Sequence, residues 1–154
     1  MRANTRLFGE IDIEEDKIIT LESGMIGLPE FRQFALIFDE EDGIEKTSVM
    51  WFQCMDDPET AFPVMQPNLV KPDYNPTVND EMLSSLGQMT PECTYVLVTL
   101  TATAEAKDAT VNLKAPIIIN TDTKKGCQMI VEDDYPVKFK IYQALKDREK
   151  RAGE

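Results

Sequence analysis

The sequence predicts an all-β fold, a barrel or a sandwich, with one short internal helix and a helical C-terminal extension. Three observations point there. Apolar runs rich in Val, Ile, Phe and Thr recur at intervals of roughly 10 to 20 residues, each bounded by Gly, Pro, Asp or Asn. A single internal segment has both a helix start and a helix stop. From Pro136 onward the chain changes to a basic, helix-forming composition.

Taking the elements in order, NTRLFGEIDI (Asn4 to Ile13) alternates around Gly9 and reads as a strand bent or turned at that glycine. Glu14, Glu15 and Asp16 open a turn, and Lys17 to Leu21 form a second strand. Gly24, Gly27 and Pro29 prevent ESGMIGLPEFRQF from being one regular element, and a short helical turn is expected over Pro29 to Phe34. ALIFDE is a strand that ends in the acidic loop Asp39 to Glu45. Val49 to Met55, with the sole tryptophan, is a strand that stops at the turn DDPE. AFPVMQP resumes extended structure, and Pro63 and Pro67 mark an edge strand or an irregular path because proline cannot donate to a ladder.

NDEMLSSLG carries the helix signal. Asn79 is the N-cap candidate, Asp80 and Glu81 suit the positive end, and Gly87 stands where a left-handed C-terminal residue belongs. Met82, Leu83 and Leu86 share the docking face. TYVLVTLTA is apolar on both faces and is expected to be the most buried strand. A hairpin follows. Val111, Leu113, Ala115, Ile117 and Ile119 share one face, while Asn112, Lys114, Pro116, Ile118 and Asn120 share the other. Its partner strand is CQMIVED, and Asp122, Lys124, Lys125 and Gly126 lie in the connection. Pro116 in mid-strand implies a free edge or a bulge. In the extension, Ile141 and Leu145 lie four apart as one possible apolar pair of a helix, which could lie on the acidic body.

At 154 residues, with 42% hydrophobic and 29% charged residues, the chain has ordinary globular composition and the size of one domain. We assign residues 1–136 to it and 137–154 to a basic extension, helical or frayed. No apolar run reaches the ~20 residues of a membrane helix, and the N-terminus lacks the apolar core of a secretory signal. A cytoplasmic location is expected. Cys54, Cys93 and Cys127 fall in no paired spacing, so they read as buried thiols and not as a zinc or disulfide framework.

Histidine is absent and the net charge is −12. The first fact removes the usual neutral-pH base, the commonest metal ligand and every Ser-His or Cys-His pair. The second disfavours nucleic acid as a direct ligand and favours a basic or amphipathic partner. The charge is uneven: the segment from Pro136 to the end holds six basic and three acidic residues, the remainder ten and twenty-five. Phosphate-loop motifs are missing, and the acidic loops, including Asp39 to Glu45, lack calcium-loop spacing. No cofactor and no metal is expected. The candidate binding surface combines Asp56, Asp57 and Glu59 with the apolar anchors Phe62 and Met65, and the hairpin positions Asn112, Pro116, Ile118 and Asn120. Asn112 and Asn120 are expected to fix strand geometry and not to perform chemistry. The reading from another class is a small-ligand barrel, with a pocket under Trp51, or a histidine-free enzyme; a cavity with converging polar groups would favour it.

Three segments carry a family resemblance. They are Gly24 to Phe31 (G-x-x-G-x-x-x-F), Asp57 to Val64 (D-P-x-x-A-F-P-V) and Val111 to Asn120 (V-N-L-x-A-P-I-x-I-N, with Lys114 and Ile118 at the variable positions). In this order they closely resemble the flagellar assembly factor family, FliW, over roughly residues 5 to 135. The resemblance implies a monomeric, mostly antiparallel β-barrel-like protein without enzymatic activity. It also implies two partners: the carbon storage regulator CsrA, an mRNA-binding translational repressor that such proteins antagonise, and the C-terminal region of flagellin. Members of the family often end soon after the position of Tyr135-Pro136, so the extension to Glu154 is read as a departure.

Overall fold

The computed structural model describes residues 1–37, 49–78, 80–102 and 104–152. The acidic loop Asp39 to Glu45 and the N-cap candidate Asn79 lie outside them. Eleven strands and two α-helices are present among the described residues. β1 (Arg2–Thr5) and β2 (Gly9–Asp12) form a hairpin, with Gly9 in the left-handed region at φ 67°. β3 (Ile19–Leu21), β4 (Gln33–Ile37), β5 (Met50–Cys54) and β6 (Ala61–Met65) form an antiparallel meander, and β7 (Thr94–Thr101) pairs with β6. β8 (Thr110–Val111), β9 (Ile117–Asn120), β10 (Lys125–Gln128) and β11 (Phe139–Lys140) complete the sheet. α1 is Asp80–Ser84 and α2 is Tyr142–Ala152.

Two pairings close the sheet on itself. β10 runs parallel to β3 and antiparallel to β9, and β9 pairs with β7. The circuit β3-β4-β5-β6-β7-β9-β10 is therefore a seven-stranded barrel. Alternation sends one face of each strand inward. Leu21, Phe34, Met50, Phe52, Val64, Leu97, Ile117 and Ile119 are buried there. Phe34 and Phe52 stack with ring centres 4.2 Å apart. Side chains of this size fill a small barrel and leave a packed core instead of a pore.

The outer face of β6, β7 and β8 is covered in turn. Met65, Val98, Val111 and Leu113 pack with Val70, Tyr74 and Ile141 from the segments laid over them. The extension begins as β11 paired to β8, and α2 brings Ala144 and Leu145 onto the same cluster. The Ile141–Leu145 pair thus has a partner surface. α1 packs Met82, Leu83 and Leu86 onto Ile118, Cys127 and Met129, the docking that so short a helix needs. The β1–β2 hairpin places Ala3 with Ile18, Ala35 and Met55.

Several expectations are corrected. No helix forms over Pro29 to Phe34. Gly24 and Gly27 turn the chain with positive φ, Leu28 N–H donates to Met25 C=O at 2.9 Å, and Phe34 already belongs to β4. Gly24 is obligatory, since a Cβ there would sit 2.5 Å from the carbonyl oxygen of Pro29. β7 is exposed at its two end residues and fully buried only at Leu97 and Val98, and β9, buried at all four residues, is the more deeply covered. The long strand expected from Val111 to Asn120 is broken: β8 pairs with the C-terminal part of β7 and β9 with its N-terminal part, around a bulge at residues 112–116. Of the two meanings offered for Pro116, the bulge is present and the free edge is not, because β9 is paired on both sides. Lys125 and Gly126 belong to β10, and the turn before them has Lys124 at φ 59°.

The two asparagines of the hairpin are structural. Asn112 Oδ1 accepts the N–H groups of Lys114 and Ala115 at 3.0 and 3.1 Å, which shapes the bulge. Asn120 is fully buried; its amide donates to the carbonyls of Leu86 and Gln88, and its oxygen accepts the N–H groups of Asp122 and Thr123. Asn120→Leu strands these groups and is expected to lower stability by about 3 kcal/mol in denaturant unfolding. A second lock joins Asp133 to Thr77, whose N–H and hydroxyl donate to it at 2.8 and 3.0 Å. The Thr77 N–H holds the Asp133 carboxyl below its ordinary value, against a smaller opposing effect of desolvation. A depressed carboxyl stabilises the fold above the ordinary carboxylate range and loses that contribution as the pH falls through its folded value. Asp133→Asn should therefore flatten the acid limb of the stability profile, with thermal melting between pH 2 and 6 as the measurement.

Candidate functional site

The expected surface residues separate into two groups. Met65, Pro116, Ile118 and Asn120 are buried, so they support the fold and present nothing to a partner. Asp56, Asp57, Glu59, Phe62 and Asn112 lie at or near the surface, at one end of the barrel. The acids belong to the β5–β6 turn; Asp56 ties it to the start of β4 and Asp57 bonds within it. Asp56 Oδ2 accepts the N–H groups of Arg32 and Gln33, both at 2.7 Å. Asp57 accepts Glu59 N–H and the Thr60 hydroxyl. Glu59 is exposed, and Arg6 of the β1–β2 turn donates its Nε to the Glu59 carbonyl.

The turn is held from beneath by a residue that sequence reasoning passed over. Gln53 is fully buried, and its amide nitrogen lies 2.9 to 3.1 Å from the carbonyls of Cys54, Pro58 and Thr60. Among the described residues its Oε1 has no partner. A glutamine within an apolar β-run was the available signal, since a buried amide must find main-chain partners nearby.

Beyond the turn, β6 is paired on one side along its length and on the other only in part. The ladder to β5 extends over Ala61 to Val64, whereas the ladder to β7 begins at Val64. The expected edge strand is thus an interior strand with one half open. Cys54 N–H donates to Thr60 C=O, so 54/60, 52/62 and 50/64 are the hydrogen-bonded pairs of β5 and β6. Pro63 falls at an intervening pair, where its missing donor leaves the β5 ladder intact. The same alternation turns the main-chain groups of Ala61, Pro63 and Met65 toward β7. Met65 meets Val98; in this register Pro63 comes opposite Leu100 and has no hydrogen to give its carbonyl. The ladder stops there.

An open groove of about 400 Å³ lies where the strands part, at the barrel mouth. Its walls are Phe62 and Pro63 from β6, Thr99 to Thr101 from β7, Asn112, Lys114 and Ala115 of the bulge, and the Met25–Leu28 turn. Its rim carries Ile26, Ile130 and Val137, which are 46%, 64% and 57% exposed. Gln128 ties the walls together: its Oε1 accepts Ile26 N–H at 2.9 Å and its Nε2 donates to Ala115 C=O. Lys114 lies in the groove but donates its ammonium to Asp133 C=O. Carboxylates at Glu22, Glu59, Glu132 and Asp134 are exposed on the segments leading into it.

The titratable side chains packed into the body are held in their neutral forms. Burial pushes the Cys54 and Cys127 thiols up from their ordinary value, away from the reactive thiolate. Burial likewise raises Tyr74, whose hydroxyl donates to Leu113 C=O, and Tyr95. Among the described residues no group of three or more Cys, Asp or Glu is placed to hold a metal ion, and no helix is long and apolar enough to cross a membrane.

The class the fold defines is a filled seven-stranded barrel with an open groove at its mouth. Comparison with known proteins narrows the class. The family described as FliW protein matches residues 2–141. The flagellar assembly factor FliW of Lachnoclostridium phytofermentans is 43% identical over 149 residues, 96% of this chain and 94% of that one. That of Lachnospira eligens is 41% identical over 151 residues, 97% and 99% of the two chains. A crystal structure of the flagellar assembly factor FliW superposes with a TM-score of 0.83 at 29% identity, covering 92% of this chain and 97% of the other. The chain belongs to the FliW family. The extension past Tyr135-Pro136, expected to be a departure, is not one: these two relatives run with this chain over nearly their full lengths.

Gln53→Ala removes the support under the β5–β6 turn and is expected to destabilise by about 2 kcal/mol. Urea unfolding measures it, with the amide signals of Asp56, Asp57, Glu59 and Thr60 shifting most in the folded protein.

Proposed function

We propose that this chain is a cytoplasmic, monomeric, non-enzymatic flagellar assembly factor that binds CsrA and antagonises its hold on mRNA. It also binds the C-terminal region of flagellin, so that flagellin synthesis follows secretion. The observation that carries this reading is the exposed apolar groove set on an acidic barrel of net charge −12. Large apolar side chains at its rim supply the anchors of a protein interface. An acidic body docked beside an RNA-binding surface places negative potential where phosphates must sit, and weakens RNA binding without covering the groove. Asp56, Asp57, Glu59, Phe62 and Asn112 form the part of the docking surface proposed from sequence that is open to a partner, and the rim residues extend it.

Titration of CsrA and of flagellin into the purified protein tests the reading, with a labelled leader transcript as competitor. Glu59→Lys with Ile130→Ser is expected to weaken CsrA about tenfold or more while the melting temperature holds. Failure of the wild-type protein to bind CsrA or to release the transcript refutes the proposal.

A further inference from the structure

We infer that α1 is an oxidation-sensitive lid: conversion of Met82 to its sulfoxide by a peroxide releases the helix from the sheet while the barrel stays closed. The face it covers adjoins the groove, and its behaviour is independent of which partner binds there. Three features carry the assignment.

The first is where the methionines lie. Of the eight in the chain, Met25, Met50, Met55, Met65 and Met129 are buried. Met1 is half-buried beside the β1–β2 hairpin. Met82 and Met89 are half-buried on the segment laid over β9 and β10. Each of these two lines a crevice open to solvent. Met82 shares one of about 250 Å³ with Val78, Met129 and Ile130. Met89 shares one of about 280 Å³ with Val78, Leu83 and Ile118. An oxidant therefore meets the sulfurs of this segment before those of the core.

The second feature is how little holds α1. The helix has five residues and none is fully buried. A helix of that length has no stability of its own, so docking decides whether it forms. Met82 and Leu83 are its two apolar side chains, and with Leu86 just beyond they pack on Ile118, Cys127 and Met129. A sulfoxide oxygen is a strong acceptor that this apolar cluster cannot satisfy, so it draws the side chain out into the crevice. Half of the apolar hold goes with it.

Confinement is the third. The chain is pinned on both sides of α1. Before it, Thr77 donates its N–H and hydroxyl to Asp133. After it, the Leu86 carbonyl accepts the Asn120 amide at 3.0 Å and the Thr123 hydroxyl at 2.7 Å. These bonds contain no sulfur and survive the oxidant, so the opening is local. It uncovers Met129. Because Ile130 borders both the crevice and the groove, it also joins the two hollows.

The covalent step needs only the peroxide. The sulfur lone pair attacks one peroxide oxygen, the S–O bond forms as the O–O bond breaks, and the second oxygen leaves as water with the proton of the first. Sulfur gives up two electrons and the peroxide takes them. Methionine sulfoxide reductase reverses the change.

Hydrogen peroxide added to the full chain, followed by peptide mass spectrometry and amide hydrogen exchange, is the test. Met82 and Met89 should oxidise first and Met129 after a lag, with Met50 and Met65 untouched. Exchange in α1 should rise about tenfold or more once Met82 is oxidised, while the amides of Phe52 and Val64 keep their protection. The reductase should restore the slow exchange. Met82→Leu, which keeps the volume and removes the sulfur, should leave α1 docked and Met129 protected under the same peroxide. Met82→Gln should release the helix with no oxidant present. Unchanged exchange in α1 after Met82 oxidation, oxidation of Met129 as fast in Met82→Leu as in the wild type, or loss of barrel protection together with α1 would each overturn the inference.

Discussion

Closure of the barrel depends on one strand serving two partners along the same edge. β7 pairs with β9 through Thr94 to Leu97 and with β8 through Leu100 and Thr101. The chain between β8 and β9 must therefore leave the ladder and return to it within residues 112–116. Asn112 makes this feasible by accepting two main-chain N–H groups that the bulge would otherwise strand. Pro116, with no donor to lose, suits the same detour. Val131 N–H and Met129 N–H then bond the carbonyls of Lys114 and Pro116, so the bulge is paired on its other side. Leu113 reaches the outer cluster and Ile117 the barrel interior from the two ends of this short segment. A straight strand would have placed them on one face.

The same detour opens the mouth. With β8 and β9 displaced from each other, Asn112, Lys114 and Ala115 form a wall and not a covering strand. Pro63 contributes from the opposite side by ending the β6–β7 ladder. Two prolines, each harmless to the barrel because of the pair at which it stands, thus leave a groove where the strand circuit is thinnest. The buried Gln53 holds the adjoining acidic turn in place from beneath. The site is built from backbone economy: the residues that shape it are those whose hydrogen bonding cannot or need not continue a ladder.

Much of the fold was legible in the sequence, and what was not has common causes. Strands with bordering Gly, Pro or Asp were readable because both signals are local, as at Met50–Cys54 and Asp57-Pro58. Gly87 was readable for the same reason, and it adopts φ 94°. The break of the Val111–Asn120 run was hidden because its period-two pattern is unbroken; the bulge is dictated by which part of β7 each half must meet, a non-local condition. The helical turn expected at Pro29 failed because the pairing of Ile19 with Phe34 recruits the segment into the sheet. For the site, the acidic turn and Phe62 were legible from composition. Asn120, Ile118 and Met65 were misplaced because polarity and alternation do not reveal a second layer: α1 covers Ile118, and Tyr74 with α2 covers the cluster of Met65. The rim was missed for two reasons: Ile26 and Val137 fall in segments without periodicity, and Ile130, read into a strand from Cys127 to Asp133, lies past the end of β10.

The parallel pairing of β3 with β10 has a consequence for how the molecule is made. Thr20 lies beside Lys125 and Leu21 beside Gly126, so an early strand waits for one close to the end of the chain. Contacts of such long sequence separation are slow to form. During synthesis the meander from β3 to β6 emerges with its Phe-rich inner face uncovered, and it stays so until the ribosome has released the final quarter of the polypeptide. Only then can the circuit shut, so the apolar face stays open to solvent and to aggregation for most of the translation time.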